Sequence, residues 1–239
     1  MSSFKEKLQQ AIQELGISLS EEQVSLLEKY KKILQEWNTR MNLTAIDDDE
    51  AMLWKHFIDS LMCTRYVEFT PGMRIIDVGT GAGFPGIPLK VWQPGLKMVL
   101  LDSVKKKVNF LNEVIKQLDL TECVAIWSRA EELGHQENYR DSFDRVVARA
   151  VARLNILIEY CFPFVKVGGI FVAYKGVEGR SELENAIKAI GILGGEVENV
   201  YETVLGPGQE KRTIIVIKKI VPTPKGYPRR VGIAEKRPL

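Results

Sequence analysis

The run Arg74-Ile-Ile-Asp77-Val-Gly79-Thr-Gly81-Ala-Gly83-Phe84-Pro85-Gly86 decides how this 239-residue chain is read. A short apolar stretch, RIIDV (74–78), passes directly into a loop that carries four glycines in eight residues. Glycine lets the backbone take φ > 0 and approach a ligand with no Cβ in the way. In an open α/β sheet, ligands bind where such a loop leaves the carboxyl end of a strand. The spacing therefore predicts a ligand-binding loop after the first strand of a parallel sheet.

Downstream, strand-like runs recur: KMVLLD (97–102), ECVAIW (122–127), FDRVVAR (143–149), GIFVAY (169–174) and RTIIVIK (212–218). Between the second and third lies a helix whose Val104, Val108, Leu111, Ile115 and Leu118 form one apolar stripe, and a further helix is expected over 181–190. Short apolar strands alternating with helices describe a doubly wound α/β fold with both sheet faces covered. Upstream, residues 1–67 read as helical. Phe4, Leu8, Ile12 and Leu15 keep helical spacing up to Gly16, and Ser20 with Gln23 makes a capping box for a second helix. A third carries Leu53, Phe57 and Leu61. The expected organisation is a helical N-terminal cap (1–67), a ligand-binding domain (68–220) and a basic C-terminal tail (221–239).

A net charge of +2 argues, taken alone, against a nucleic-acid partner. Its distribution argues otherwise. Residues 1–50 carry −4, residues 51–217 are balanced, and residues 218–239 carry +6. Three scattered cysteines and two histidines form no disulfide framework and no metal-ligand spacing. The N-terminus lacks a signal peptide's apolar core and no run approaches a membrane span, so a cytoplasmic protein without metal or membrane partner is expected.

Read literally, Gly81-x-Gly83-x-x-Gly86 also satisfies a dinucleotide fingerprint, which keeps a nicotinamide-dependent oxidoreductase open. Asp77, before the glycines, suits a cationic amino group better than a pyrophosphate. Pro85 and Pro88 reduce the amides available to hold phosphate. Asp102 ends the second strand, where a carboxylate can bind ribose hydroxyls. Together these favour S-adenosylmethionine, which carries an amino acid, a ribose and an adenine but no phosphate.

DVGTGAGFPGIPLK (77–90) and LLDSVKKKVNFL (100–111) resemble the bacterial small-subunit ribosomal RNA guanine-N7 methyltransferases, a family first labelled glucose-inhibited division protein B. WNTRMNLT (37–44), HFIDSL (56–61), SRAEEL (128–133), FDRVVARAVA (143–152), AYKG (173–176) and YPRRVGIAEKRPL (227–239) extend the resemblance over nearly the whole chain. It implies a class I S-adenosylmethionine-dependent methyltransferase fold (Rossmann-like, with a seven-stranded, mostly parallel sheet). It also implies methylation of N7 of one guanine in 16S ribosomal RNA near the decoding region. Asp77, Gly79, Gly81, Phe84, Asp102, Ser103, Val104, Ala130, Glu131 and Arg149 are the expected cofactor residues. The partner is 16S ribosomal RNA or the small ribosomal subunit.

Guanine N7 carries a lone pair and no proton, so its methylation needs orientation but no general base. No His/Asp catalytic pair is evident, and no catalytic residue is assigned. The site after the fourth strand reads ARAVAR, not the Asn/Asp-Pro-Pro-aromatic motif of exocyclic-amine methyltransferases, and no cysteine follows a proline as in cytosine-C5 enzymes. A small-molecule or protein methyltransferase and a non-catalytic ribosome-binding factor are the remaining alternatives. Among single residues, Lys175, Arg229 and Arg230 are the RNA-contact candidates. Lys105 to Lys107 read as a solvated helix face. Trp37 is expected to pack the cap onto the sheet. His56 and Asp59, three apart on a presumed helix, could pair across one turn.

Overall fold

A computed structural model describes residues 3–46 and 48–239. Seven strands form one sheet in the order β3-β2-β1-β4-β5-β7-β6. They are β1 (Arg74–Val78), β2 (Lys97–Asp102), β3 (Cys123–Trp127), β4 (Phe143–Arg149), β5 (Val165–Lys175), β6 (Gly195–Leu205) and β7 (Glu210–Lys219). The first five are parallel, whereas β7 lies antiparallel between β5 and β6. The chain builds outward from β1 in one direction through β2 and β3, then returns to β4 on the other side. The crevice at the carboxyl ends of β1 and β4 is thus the switch point at which such sheets bind ligands.

Six strands match the expected runs closely. The seventh, β6, escapes a periodicity reading because GEVENVYETVL is an edge strand rich in exposed glutamates and lacks a continuous apolar face. Four helices have no counterpart in the sequence reading: α5 (Gly86–Trp92) beginning at the proline-rich loop, the short apolar α8 (Leu154–Cys161), and the four-residue α7 (Ala130–Leu133) and α10 (Ile233–Lys236), the last near the C-terminus. The other connecting helices are α6 (Lys105–Gln117) and α9 (Gly179–Ile192).

The N-terminal region is helical, with the anticipated capping box at Ser20 and a second one at Ser3 opening α2 (Glu21–Met41) and α1 (Phe4–Glu14) respectively. A third helix runs through α3 (Asp49–Met52), a π-wound stretch (Leu53–Ile58) and α4 (Asp59–Leu61). These helices form one layer of the molecule. Leu8, Leu27, Leu34, Phe57 and Leu61 share a core with α5, α6 and the sheet face presenting Ile75, Val147 and Val172. The opposite face, with Ile76, Val146 and Phe171, is covered by α8 and α9. Alternate residues of each strand enter opposite cores, as the two-residue period requires. Trp37 packs edge-on against Phe110 of α6, the anticipated packing role.

Candidate active site

Two hollows open at the switch point, and the glycine loop lies between them. Gly79, Gly81 and Gly83 all have positive φ (71°, 63° and 100°), the conformation for which the loop's glycines were singled out. A Cβ on Gly79 would stand 2.6 Å from a methyl of Val151, so only glycine permits this approach. Asp77 is fully buried beneath the loop and lines neither hollow. Its Oδ2 accepts from the Thr80 hydroxyl (2.6 Å) and the Gly86 amide (2.8 Å), which shapes the loop from below. Its Oδ1 is the one buried side-chain polar atom without a partner among the described residues. From the helical layer, the Tyr30 hydroxyl donates to the Ala82 carbonyl, so the N-terminal helices brace the same loop.

The smaller hollow, about 120 Å³, is lined by five of the ten anticipated cofactor residues: Gly79, Asp102, Ser103, Ala130 and Glu131. Asp102 lies 5% exposed at the end of β2 and accepts from the Gly81 and Val104 amides (2.9 and 2.8 Å). Each carboxylate oxygen keeps a lone pair for a further donor. Val104 therefore contributes a backbone group that orients Asp102. Val78, Leu101, Ser128, Arg129, Val151, Tyr160 and Glu235 complete the lining, and none of these was anticipated.

The larger cleft, about 580 Å³, opens on the other side of Val151, which lines both spaces. Its floor is a pair of arginines on one carboxylate. Asp59, 4% exposed, accepts from Arg149 at 2.8 Å and from Arg212 at 3.0 Å. The π-wound stretch explains how one helix supplies so many partners. Its wider turn presents the Lys55 carbonyl, the His56 ring and Asp59 together toward Arg149, which donates to that carbonyl at 2.7 Å. His56 does not bond Asp59 directly. Its Nδ1 lies 3.3 Å from Arg149 and its Nε2 2.8 Å from the Thr44 hydroxyl. Phe84 is buried under this cluster, stacked on His56 (4.5 Å) with the Arg149 guanidinium 5.3 Å from its ring centre.

Arg149 and Phe84 thus sit on the cleft side of the site, away from the hollow that holds the Asp102 group. Arg212 was missed because only the antiparallel pairing of β7 with β5, Thr213 opposite Lys175, carries it to this edge.

The RNA candidates fare differently from one another. Lys175 does line the cleft, but its ammonium is committed to Glu182 and the Ala152 carbonyl, both at 2.6 Å. Arg229 requires correction as a free RNA contact. Its guanidinium grips the fully buried carboxylate of Glu159, at 2.5 Å to Oε2, and releasing it would strand a buried charge. Arg230 is exposed, as are Arg129 and Arg153 at least in part, and none of the three has an ion-pair partner among the described residues. Lys105 and Lys106 are exposed, as expected of a solvated face, with Lys105 over the Trp127 ring at 4.9 Å, whereas half-buried Lys107 reaches Asp102 at 3.9 Å.

Burial sets the charge states at this edge. It lowers His56 from 6.5 to about 4, helped by the Arg149 cation, and raises Asp77 from 3.8 to about 7. As the pH falls from 6.5 to about 4, the unfolded chain takes up a proton that folded His56 refuses, so stability is lost on acidification. Asp77 acts oppositely: the folded chain keeps its proton up to about pH 7, so stability is lost as the pH rises from 3.8. The two effects oppose each other in the parent protein. His56→Gln is expected to leave only the Asp77 slope, a decline from about pH 4.5 to 7 in denaturant midpoints. A variant profile parallel to the parent's would contradict a half-buried, neutral His56.

Among the described residues, no group of three or more acidic, His or Cys side chains could hold a metal ion, and no helix is long and apolar enough to cross a membrane.

Residues 23–214 match the GidB family, described as rRNA small subunit methyltransferase G. The chain is 51% identical over 224 residues to a "Ribosomal RNA small subunit methyltransferase G" of Acetivibrio thermocellus, covering 94% of this chain and 92% of that protein. It is 44% identical over 239 residues, the whole of both chains, to the like-named protein of Desulforamulus reducens. Among solved structures it resembles the precorrin-6y C5,15-methyltransferase of Geobacter metallireducens (TM-score 0.51, 15% identity, 67% of this chain and 86% of that one). It also resembles a geranyl diphosphate methyltransferase in complex with geranyl diphosphate and sinefungin (TM-score 0.54, 11% identity, 68% and 78%). At such identities the structural likeness speaks for the fold alone.

Proposed function

The chain belongs to the rRNA small subunit methyltransferase G family, and from that premise we propose that it transfers the methyl group of S-adenosylmethionine to N7 of one guanine in 16S ribosomal RNA. The observation that carries this reading is the pairing of two chemically opposite spaces across Val151 and Gly79. One is net acidic, lined by Asp102, Glu131 and Glu235 against Arg129; the other is net cationic, lined by Lys55, Arg149, Arg153, Lys175 and Arg212 against Asp59 and Glu182.

The residues fit the cofactor. Carboxylates facing the smaller hollow suit the ribose diol and the adenine amino group, both donors, and disfavour a phosphate. Gly79, against which the Val151 side chain packs where a Cβ would stand, lets the backbone approach the ligand at the edge of the smaller hollow. A cationic ligand above the loop would favour ionisation of Asp77, whose Oδ1 lies buried and unpartnered beneath it. When bound, S-adenosylmethionine supplies an electrophilic methyl carbon on a sulfonium.

The cleft supplies orientation. Guanine presents acceptors at O6 and N7, and phosphates flank every nucleotide, so a cleft lined by guanidinium and ammonium groups matches it. Guanine N7 offers a lone pair to that methyl group and has no proton to lose, so the protein would need no general base. No proton moves, which agrees with a site whose histidine is half-buried, neutral and bonded at both nitrogens. The rate enhancement then rests on alignment of nitrogen, carbon and sulfur. Arg153, on the lining of the cleft, and the exposed Arg230 are the RNA grips, and the substrate is the RNA within a small ribosomal subunit.

The decisive test supplies labelled methyl donor with unmethylated 16S ribosomal RNA, free or in small subunits, and maps N7-methylguanine. Label on subunits at a single guanine is expected; label on neither substrate would overturn the proposal. Replacing Arg153 and Arg230 together with Ala should weaken RNA binding and make its salt slope shallower by about one for each phosphate no longer neutralised. An unchanged slope would remove them from the interface.

A further inference from the structure

The C-terminal segment was read from the sequence as an RNA-binding tail. Its contacts point elsewhere. The Arg140 guanidinium donates to the carbonyls of Thr223 (2.7 Å), Pro224 (3.2 Å) and Tyr227 (2.7 Å), and the Pro228 carbonyl lies 2.8 Å from His135 Nε2. Arg229 then binds Glu159 with its backbone amide (2.8 Å) as well as its guanidinium. After this anchor the chain turns at Gly232 (φ 78°), whose amide reaches Glu131 Oε1 at 3.3 Å. Ala234 is buried against the core behind the sheet.

The next residue, Glu235, is the only acid in residues 218–239, a segment of net charge +6. It stands at the rim of the smaller hollow, where its Oε1 accepts from the Tyr160 hydroxyl at 3.2 Å. Tyr160 follows Glu159 directly on α8, so the anchor and the lining residue are neighbours. A strap held by so many contacts, delivering its single carboxylate to this place, is built as a wall.

We propose that the C-terminal strap forms the outer wall of the adenosine site, with Glu235 accepting a hydrogen bond from the adenosine moiety of S-adenosylmethionine and Arg229 as the positioning residue that holds the strap. This rests on the placement of adenosine beside Asp102. The wall adds a carboxylate to those of Asp102 and Glu131, against the single cation Arg129, so the net acidic site selects an adenosine free of phosphate. Cofactor affinity and strap docking are then linked: whatever lifts residues 229–236 opens the hollow.

Calorimetry with S-adenosylhomocysteine on the full chain tests this, with Asp102→Ala, Glu235→Gln, Arg229→Ala and Arg229→Lys compared with the parent. Glu235→Gln, at an exposed rim position, should weaken binding about fivefold or more, the scale of a charged hydrogen bond removed. Arg229→Ala should weaken it at least as much, and Arg229→Lys should restore part of the loss. AMP should bind far more weakly than adenosine. Parental affinity in both Glu235→Gln and Arg229→Ala, with binding lost in Asp102→Ala, would overturn the wall and leave the adenosine placement standing. Parental affinity in Asp102→Ala would overturn the placement itself. Weakened binding to 16S ribosomal RNA in Arg229→Ala with S-adenosylhomocysteine affinity unchanged would return the strap to an RNA role.

Discussion

Gly79→Asp is expected to abolish S-adenosylmethionine binding, read by calorimetry, while the protein stays folded by circular dichroism. Three effects act together at this position. The φ of 71° costs a non-glycine residue about 1–2 kcal/mol. The new Cβ would lie 2.6 Å from Val151 Cγ2, so the loop or the segment after β4 must move. The added carboxylate then stands where the loop backbone approaches the ligand at the edge of the smaller hollow. Gly81→Ala isolates the first effect. It has similar φ (63°), but its Cβ meets only the Gly79 carbonyl at 4.0 Å. Strain alone should reduce affinity by about 5- to 30-fold, since ~1.4 kcal/mol is a factor of ten. Equal losses in the two variants would show that backbone strain, not the side chain added at Gly79, governs binding.

Asp59→Ala is the second large effect. Methyl transfer should fall by about 100-fold or more, the scale of a misplaced substrate, with S-adenosylhomocysteine affinity much less affected. Asp59 is 4% exposed and bonds both Arg149 and Arg212. Removing it leaves two poorly hydrated guanidiniums facing each other across the cleft. Breaking a buried pair in this way costs about 3–5 kcal/mol of stability, so denaturant midpoints should drop clearly. Asp59→Asn retains an acceptor and should recover part of the stability but little of the activity, because a neutral amide cannot hold two cations in register. Activity near the parental level in Asp59→Ala would show that the arginine pair does not orient the RNA.

The doubly wound architecture was legible in particular residues. RIIDV, KMVLLD and FDRVVAR are β1, β2 and β4 to the residue, because fully buried parallel strands read as unbroken apolar runs. The glycine loop and Asp102 were equally legible, since positive φ and a strand-end carboxylate are local requirements. Glu196, Glu198 and Glu202 hid β6, whose pairing with β7 comes from the partner strand's Ile215 and Ile217 rather than from its own pattern.

The amino-acid sequence by itself determined the parallel sheet, the loop at its switch point and the cofactor class, because each follows from backbone geometry over a few consecutive residues. Tertiary structure alone decided which charges are free. Asp59 joins Arg149 and Arg212 across 90 and 153 residues, and Arg229 meets Glu159 across 70. A tail of +6 therefore looks like an RNA arm in one dimension and lies as a strap along the cofactor site in three. Net charge is a property of composition; the availability of a charge depends on what the fold brings within hydrogen-bonding distance of it.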